Sequence, residues 1–438
     1  MTSESKSRLN VGLLPSQELP LEAWQQKIDH LQESSFIHKK RQQALKEIPQ
    51  LRGPEIPKIS YENWPLLPER FVYEEEEGKD LEVSFDKSSS LVQVGNQTIY
   101  RSLLEKYQEQ GVICTDIFSA IQHYPELIEK YYFQTAAQTD DNYGMAYNAL
   151  AMMNGIFIYV PRQVVIDKPL ESLIYQEAQV PNQAFIHHVL IVVEDNARLN
   201  YIERYRTYGS CKSTANIVVE IIAKSGAFVH YTGIDRLGKE TTAYIGRRGE
   251  VAKDAEVDFT VACLNEGNVL YDSEIKLKGS GALGEYRAVA VTGEDKVQGL
   301  NSVVKNYGKS TRGNIIQKGV ILNQSTLILN GVGHILKGAK GSDAQQEDRV
   351  LMFSDRARGD ANPILLIDDN DVTAGHAASV GRVNPEQMYY LMSRGIDVNQ
   401  ARLLVIRGFL GEVIIEGLDK TIQEEILNII DRRLIQFE

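Results

Sequence analysis

The chain reads as a mainly β protein built on a parallel β-helix, and three observations carry that reading. Short apolar runs recur between Phe157 and Val383: Phe157 to Val160, Val189 to Val193, Ile217 to Ile222, Ala288 to Val291, Val320 to Leu322 and Ile364 to Ile367. They are rich in Val and Ile, bounded by Gly, Asn, Asp or Ser, and too brief for helices, as buried strands are. Small turn-forming clusters punctuate them, so that Ala197, Ala227, Ala255 and Ala282 fall 30, 28 and 27 residues apart. A period of that size belongs to a solenoid, whose turns bury their apolar faces only by stacking on one another. At about 28 residues per turn and about 4.8 Å between turns, the stretch gives roughly eight turns and a column on the order of 38 Å long. An irregular antiparallel sandwich with coincidental spacing is the alternative.

The 438 residues suffice for two or three domains and a substantial core. With 59 acidic against 47 basic residues the formal charge is -12, which argues against general nucleic-acid binding. Met1 to Asn10 is polar and lacks the apolar centre of a secretory signal. No apolar run approaches the roughly 20 residues that span a bilayer, so a soluble cytoplasmic protein without a membrane partner is expected. Cys114, Cys211 and Cys263 are widely separated and include no Cys-x-x-Cys pair. They fit neither a disulfide framework nor a self-contained zinc or four-thiolate site, and reduced, mostly buried thiols are expected.

Three regions follow: a helical one over 1–155, the column over 156–383 and a helical domain over 384–438. Leu21, Trp24, Ile28 and Leu31 have near-helical spacing, predicting a helix from Leu19 to Ile48 that stops at Pro49. Pro49, Pro54, Pro57, Pro65 and Pro68 then favour an extended strap. The run Glu74 to Glu77 reads as a solvated turn rather than a metal site, since four adjacent carboxylates do not point the same way. Ser102 to Gln134 and Asn142 to Asn154 read as helical, the latter with Gly155 as its cap.

After Val383 the apolar period changes to about 3.6. Asn384-Pro385-Glu386-Gln387 is a helix start with a capping residue and a proline in the first turn, and Asp397 and Asp419 can cap two more helices. The middle one is apolar nearly all round, through Leu403, Leu404, Val405, Ile406, Phe409 and Leu410. Such a helix must be covered on more than one side, by its neighbours or by a partner protein.

Nucleotide and calcium motifs fail on inspection. Gly308-Lys309-Ser310 has the end of a phosphate loop, but Val303 stands where its first glycine belongs; Gly331-Val332-Gly333 meets Leu336 where a third glycine is needed. Asp369-Asn370-Asp371 opens like a calcium loop, yet Ala374 replaces the required glycine and Val380 the closing glutamate. No nucleotide bound by this chain is expected.

Two segments carry a family resemblance. Asn148-Ala149-Leu150-Ala151-Met152-Met153-Asn154-Gly155-Ile156-Phe157 resembles the entry to the core of the SufB/SufD family of iron–sulfur cluster assembly proteins. Asp371-Val372-Thr373-Ala374-Gly375-His376-Ala377-Ala378-Ser379-Val380-Gly381, followed by Gln387-Met388-Tyr389-Tyr390-Leu391-Met392-Ser393-Arg394-Gly395, resembles the family's C-terminal signature. Its His-Ala-x-x-Val-Gly form is nearer the SufD branch. The resemblance covers about Asn148 to Phe409 and implies a right-handed parallel β-helix. It also implies a non-catalytic scaffold that pairs with a SufB-like paralogue and presents its C-terminal helices, with Tyr389, Tyr390, Met392, Arg394, Leu404 and Phe409, to a SufC-like ATPase. A homodimer is the alternative state when the paralogue is absent.

His376 matches the histidine that the resemblance implicates in cluster assembly at the paralogue junction, and it is the one metal-ligand candidate. An imidazole can bind iron through one nitrogen while a carboxylate fixes the other, and Asp368, Asp369 and Asp371 are near in sequence. His187, His188, His230 and His334 lie on or beside predicted strands and read as structural. The resemblance also implies cysteines in the SufB branch at positions corresponding to Ile275 and near Ala357, which this chain lacks; some SufD sequences have cysteine where it has Ala374. A cluster needs about four thiolate or imidazole ligands, so one transiently held here is shared with a partner. The competing readings are a β-helical enzyme acting on polysaccharide, whose 21 tyrosines would stack on sugars, and a SufB-like scaffold itself.

Overall fold

The computed structural model describes residues 19–67, 85, 89–415 and 418–436; residues 1–10 and the acidic run at 74–77 lie outside the described residues. Two helices, α1 (Leu21–His30) and α2 (Ser35–Glu47), occupy the stretch expected to be one. Ser34 makes the break, its hydroxyl accepting from the Ile37 amide at 3.3 Å to cap α2. The proline strap is irregular chain that buries Ile56, Ile59, Tyr61 and Leu67.

A hairpin follows, β1 (Leu91–Val94) with β2 (Gln97–Arg101), then α3 (Glu105–Glu109) and β3 (Ile113–Asp116). The expectation of helix throughout 102–134 is corrected here. Gly111 turns the chain at φ +79°, and in the apolar, partly β-branched run that follows Ile113 to Asp116 pair as a strand. Asp116 caps α4 (Ile117–His123) by accepting from the Ser119 amide at 2.8 Å, and Pro125 opens α5 (Pro125–Tyr131). In α6 (Tyr143–Ala151) Asn142 is the cap, accepting from the Met145 amide at 3.1 Å. Gly155 does not close this helix. It lies in the next strand, where a Cβ would come within 2.0 Å of the His188 carbonyl oxygen.

That strand, β4 (Asn154–Val160), opens the column. It continues through β5 (Leu170–Ala178), β6 (Gln183–Val193), β7 (Arg198–Gly209), β8 (Ser213–Ala223), β9 (Phe228–Arg236) and β10 (Thr241–Val251). The next are β11 (Glu256–Cys263), β12 (Val269–Leu277), β13 (Leu283–Thr292), β14 (Val297–Asn306) and β15 (Arg312–Ile321). The last four are β16 (Thr326–Ile335), β17 (Asp343–Met352), β18 (Arg358–Ile367) and β19 (Thr373–Arg382). From β4 onward, even-numbered strands join one sheet and odd-numbered strands the other. Two sheets do face each other, as in a sandwich, but successive strands alternate between them and every pairing from β4 to β19 is parallel. The architecture is therefore a parallel β-solenoid of about eight turns.

The alanine repeat has a backbone cause. Ala197, Ala227, Ala255 and Ala282 are at most 1% exposed, and the residue before each takes a left-handed conformation: Asn196 at φ +56°, Gly226 at +67°, Asp254 at +54° and Gly281 at +70°. Each turn then bonds to the next, as Gly226 N to Lys253 O and Gly281 N to Lys309 O, both at 2.9 Å. The device continues at Ser310-Thr311 and Gly341-Ser342, where hydroxyl residues replace alanine and hide the repeat.

Between the sheets runs an apolar core that is threaded by polar groups. Glu203 is fully buried, accepts hydrogen bonds from Tyr205 and Tyr231, and lies near Arg247, which itself donates to Asp235 at 2.7 Å. Outside the sheets, α7 (Pro385–Ser393), α8 (Val398–Ile415) and α9 (Lys420–Gln436) begin at Asn384, Asp397 and Asp419 caps, as the sequence predicts. Ile406, Leu410 and Val413 of α8 pack on Val289, Val291 and Val320 of the column, with α9 alongside. Lys318, 2% exposed on β15, anchors α8 by donating to Glu412 and lies 5.6 Å from the Phe409 ring centre.

Burial raises the Glu203 carboxyl to about 7, so the folded protein holds a proton there that the unfolded chain releases near 4.5. Its stabilising contribution is complete below about 4.5 and is lost as pH rises through about 7. Glu203→Gln is expected to remove up to about 3 kcal/mol of pH-dependence across that window, measured as the difference between the two urea-unfolding profiles. Lys318→Ala is expected to speed amide exchange in α8 while leaving β7 to β13 protected, as hydrogen-exchange mass spectrometry would show.

Candidate functional site

The two ends of the column are built differently. At the start, β1 pairs with β5 and turns back through the antiparallel β2, while β3 pairs antiparallel with β4, so each sheet ends there in a short antiparallel strand. At the finish, β19 and β18 are the outermost strands of their sheets. Burial falls accordingly: β13 and β15 are largely buried, whereas β19 is exposed from His376 to Val380. Val380 is 42% exposed and Ile367 47%. Both strands keep the inward-facing geometry of a turn, and among the described residues no further strand pairs with them.

His376 sits on the inner face of this last turn. Its register partner is Gln346, below which Ile315, Tyr286, Phe259, Tyr231 and Tyr201 continue the same inner row. The aromatic members stack at 5.9, 5.3 and 6.3 Å between successive ring centres, so the imidazole ends an internal ladder and is exposed because the ladder stops. The nearby aspartates are engaged elsewhere. Asp368 lies 2.9 Å from the His334 ring nitrogen, and Asp369 accepts from the Gly338 and Asp371 amides at 2.9 and 3.3 Å. Asp369-Asn370-Asp371 is therefore a turn, as are Gly308-Lys309-Ser310, while Gly331 and Gly333 lie within β16.

Among the described residues no three His, Cys, Asp or Glu side chains come together as a metal-binding group. The cysteines do not compensate. Burial pushes the Cys114 thiol up to about 12 and raises Cys263 as well, while Cys211 donates to the Gln179 carbonyl at 3.2 Å in a turn far along the column from His376. The other column histidines have partners: His187 with Gln93 and Tyr205, His188 with Asn148 and Glu220, His230 with Asp258. Burial holds His187 neutral, lowered to about 3.

Beside the open turn, α7 and α8 present apolar side chains to solvent. Tyr389 is 74% exposed, Tyr390 56%, Met392 46% and Leu404 50%, with Arg394 stacked 5.1 Å from the Tyr390 ring centre. Phe409 is half-buried; with Leu351, Val383, Leu391, Leu404 and Val405 it lines a groove of about 490 Å³ between these helices and the last turn. Sequence reading missed Gln346 and Asp348, because β17 (DAQQEDRVLM) contains no apolar run until its end.

Two family models match the chain. The family model described as SUF system FeS cluster assembly, SufBD core domain, matches residues 174–409, and SufBD protein N-terminal region matches 84–171. The chain is 35% identical over 417 residues to the iron–sulfur cluster assembly protein SufD of Bacillus subtilis, covering 92% of this chain and 95% of that one. It is 28% identical over 347 residues to iron–sulfur cluster assembly SufBD family proteins of Staphylococcus epidermidis and Staphylococcus aureus, covering 79% of this chain and 73% of theirs. A solenoid that ends in short antiparallel strands at its first turn and in full-length parallel strands at its last, with a histidine on that last edge, thus belongs to the SufB/SufD family of the SUF iron–sulfur cluster assembly system.

Proposed function

We propose that the chain is a non-catalytic scaffold subunit that pairs through its open last turn with a SufB-like paralogue, the junction receiving the nascent cluster as cargo. The asymmetry of the column carries this reading. A terminal pair of strands with unpaired backbone and exposed Val380 and Ile367 is completed by a second column stacked on it, and the paralogue has the fold to supply one. His376 would then face the junction, with the paralogue contributing the thiolates that this chain lacks. A second copy of the chain could occupy the same edge when the paralogue is absent. The cytoplasm fits reduced thiols, and no helix among the described residues is long and apolar enough to cross a membrane.

The exposed face of Tyr389, Tyr390, Met392, Arg394 and Leu404, continued by Phe409 in the groove, suits a protein partner, for which a SufC-like ATPase is the reading. Rotation of α7 and α8 by that partner would act directly on the last turn, to which α7 is joined at Val383. Polysaccharide binding loses its premise, because Tyr201, Tyr231, Tyr244, Tyr271 and Tyr286 lie inside the protein rather than on a sugar-binding face.

Purified together, this chain, a SufB-like protein and a SufC-like ATPase should form one complex by light scattering; failure to associate would remove the proposal. Val380→Asp combined with Ile367→Asp is expected to abolish paralogue pairing without lowering the melting temperature by more than a few degrees, since both side chains are on the surface. His376→Ala should leave pairing intact and reduce cluster delivery in cells. Unchanged delivery would assign that ring a structural role only.

A further inference from the structure

A second cleft lies where the helical domain meets the column, and it shares no residue with the groove beside Phe409. Its volume is about 250 Å³. One wall is made by the turns that follow β15 and β17, and the other by the start of α8 and the end of α9. Its floor is the edge of the apolar cluster that fastens both helices to the column: Leu322 and Ile406 are buried, and Phe353 and Leu434 partly so.

Charge sets this cleft apart. Arg356 lines it from the column side and Arg402 from α8, and neither guanidinium has a hydrogen bond or an ion pair among the described residues. The carboxylates near them are already engaged. Asp355, next to Arg356 in the chain, pairs with Arg382 at 2.6 Å, and Asp431 of α9 pairs with Arg407. Asp397, ahead of α8, accepts from the Asn399 and Gln400 amides at 3.0 Å each. In a chain of formal charge -12, two unpaired guanidiniums over an apolar floor form a local focus of positive potential. They stand on opposite walls as like charges, and an anion set between them would relieve their repulsion.

The two halves of the lining select different parts of one ligand. An inorganic anion would answer the arginines and leave the floor wetted, while a neutral apolar molecule would cover the floor and leave the arginines unanswered. A carboxylate suits the rim, because a guanidinium presents paired N–H donors that match its two oxygens. The cleft is smaller than the roughly 300–1,000 Å³ of sites for drug-sized molecules, which sets the ligand at about ten non-hydrogen atoms.

We propose that this cleft binds a small amphipathic organic anion, a monocarboxylate with an apolar chain, its head between Arg356 and Arg402 and its chain against Leu322, Phe353, Ile406 and Leu434. Such a ligand touches the column and both helices at once, so it would stabilise their docking by binding only when they are together. The site does not depend on the scaffold role.

The test is calorimetric titration of the full-length chain with octanoate, with 1-octanol and inorganic phosphate as probes of each half alone, followed by hydrogen-exchange mass spectrometry of the octanoate-saturated protein. Octanoate is expected to bind saturably at one equivalent, and both other probes at least tenfold more weakly. Arg356→Gln combined with Arg402→Gln should weaken octanoate at least tenfold; both side chains are exposed, and circular dichroism and melting establish that the variant is folded, with each single variant tested in its place if it is not. Slower exchange is expected in 398–406 and 430–434. Absence of saturable binding, equal affinity for octanol or phosphate, unchanged affinity in the folded arginine variants, or protection confined to the groove beside Phe409 overturns the site.

Discussion

The hydrogen bonds that each turn of the column makes to the next are the constraint on which the rest depends. A turn of two short strands encloses too little to be stable alone, and its backbone groups on one side find partners only in the turn above. Sequence therefore has to repeat the one awkward feature of the turn, a left-handed residue followed by something small. Asn196, Gly226, Asp254, Gly281, Ser310 and Gly341 do this, with Ala, Thr or Ser after each. The same constraint sets the problem at both ends, since a first and a last turn each lack one neighbour. The chain ends the first in short antiparallel strands and the second in full-length parallel ones, which is where the proposed partner would stack.

Much of this was legible before any coordinates. The apolar runs and the alanine spacing gave parallel strands and about the right number of turns, because buried strands and tight turns are dictated by local composition. The helix starts at Asn384, Asp397 and Asp419 were legible for the same reason: a capping side chain acts within three residues of itself. What escaped was decided by distant partners. Ile113 to Asp116 becomes a strand only because β4 is there to pair with it, and Gly155 looks like a helix cap until the His188 carbonyl is placed against it. Asp348 and Gln346 are unremarkable in sequence; that no cationic side chain among the described residues pairs with Asp348 is a property of the assembled core.

The polar content of that core also follows from stacking. In-register strands put each inner residue directly against its counterparts above and below, so a charged group must find its partner within a small lattice of positions. Asp235 and Arg247, Tyr231 and Glu203, and Gln317 and Asp348 are such solutions, each reaching across or along the lattice by a few residues. Where partners are complete the interior is rigid and specific; where they are not, the cost of an ionised carboxylate is carried by the packing around it. Asp348 is stranded because the lattice ends one turn above it, so the position that could have held a compensating arginine is occupied by Ala378 at the edge.

An open solenoid end is an aggregation hazard, and the residues chosen for the last turn show how the hazard is contained. Deeper inner positions of the odd-numbered sheet carry Val229, Val257, Phe259 and Ile315, whereas β19 offers Ala374, His376, Ala378, Val380 and Arg382. Small and polar side chains lower the gain from indiscriminate stacking, while Arg382 pairs with Asp355 at 2.6 Å and Arg358 lies 3.6 Å from Asp360 along the same mouth. Substituting a fully apolar inner row would make the edge stickier and less selective. It would also remove the imidazole, and with it the donor nearest to any partner. Solubility at an open edge and the proposed pairing therefore make the same demand on β19, namely that a strand facing inward should not be built from core residues.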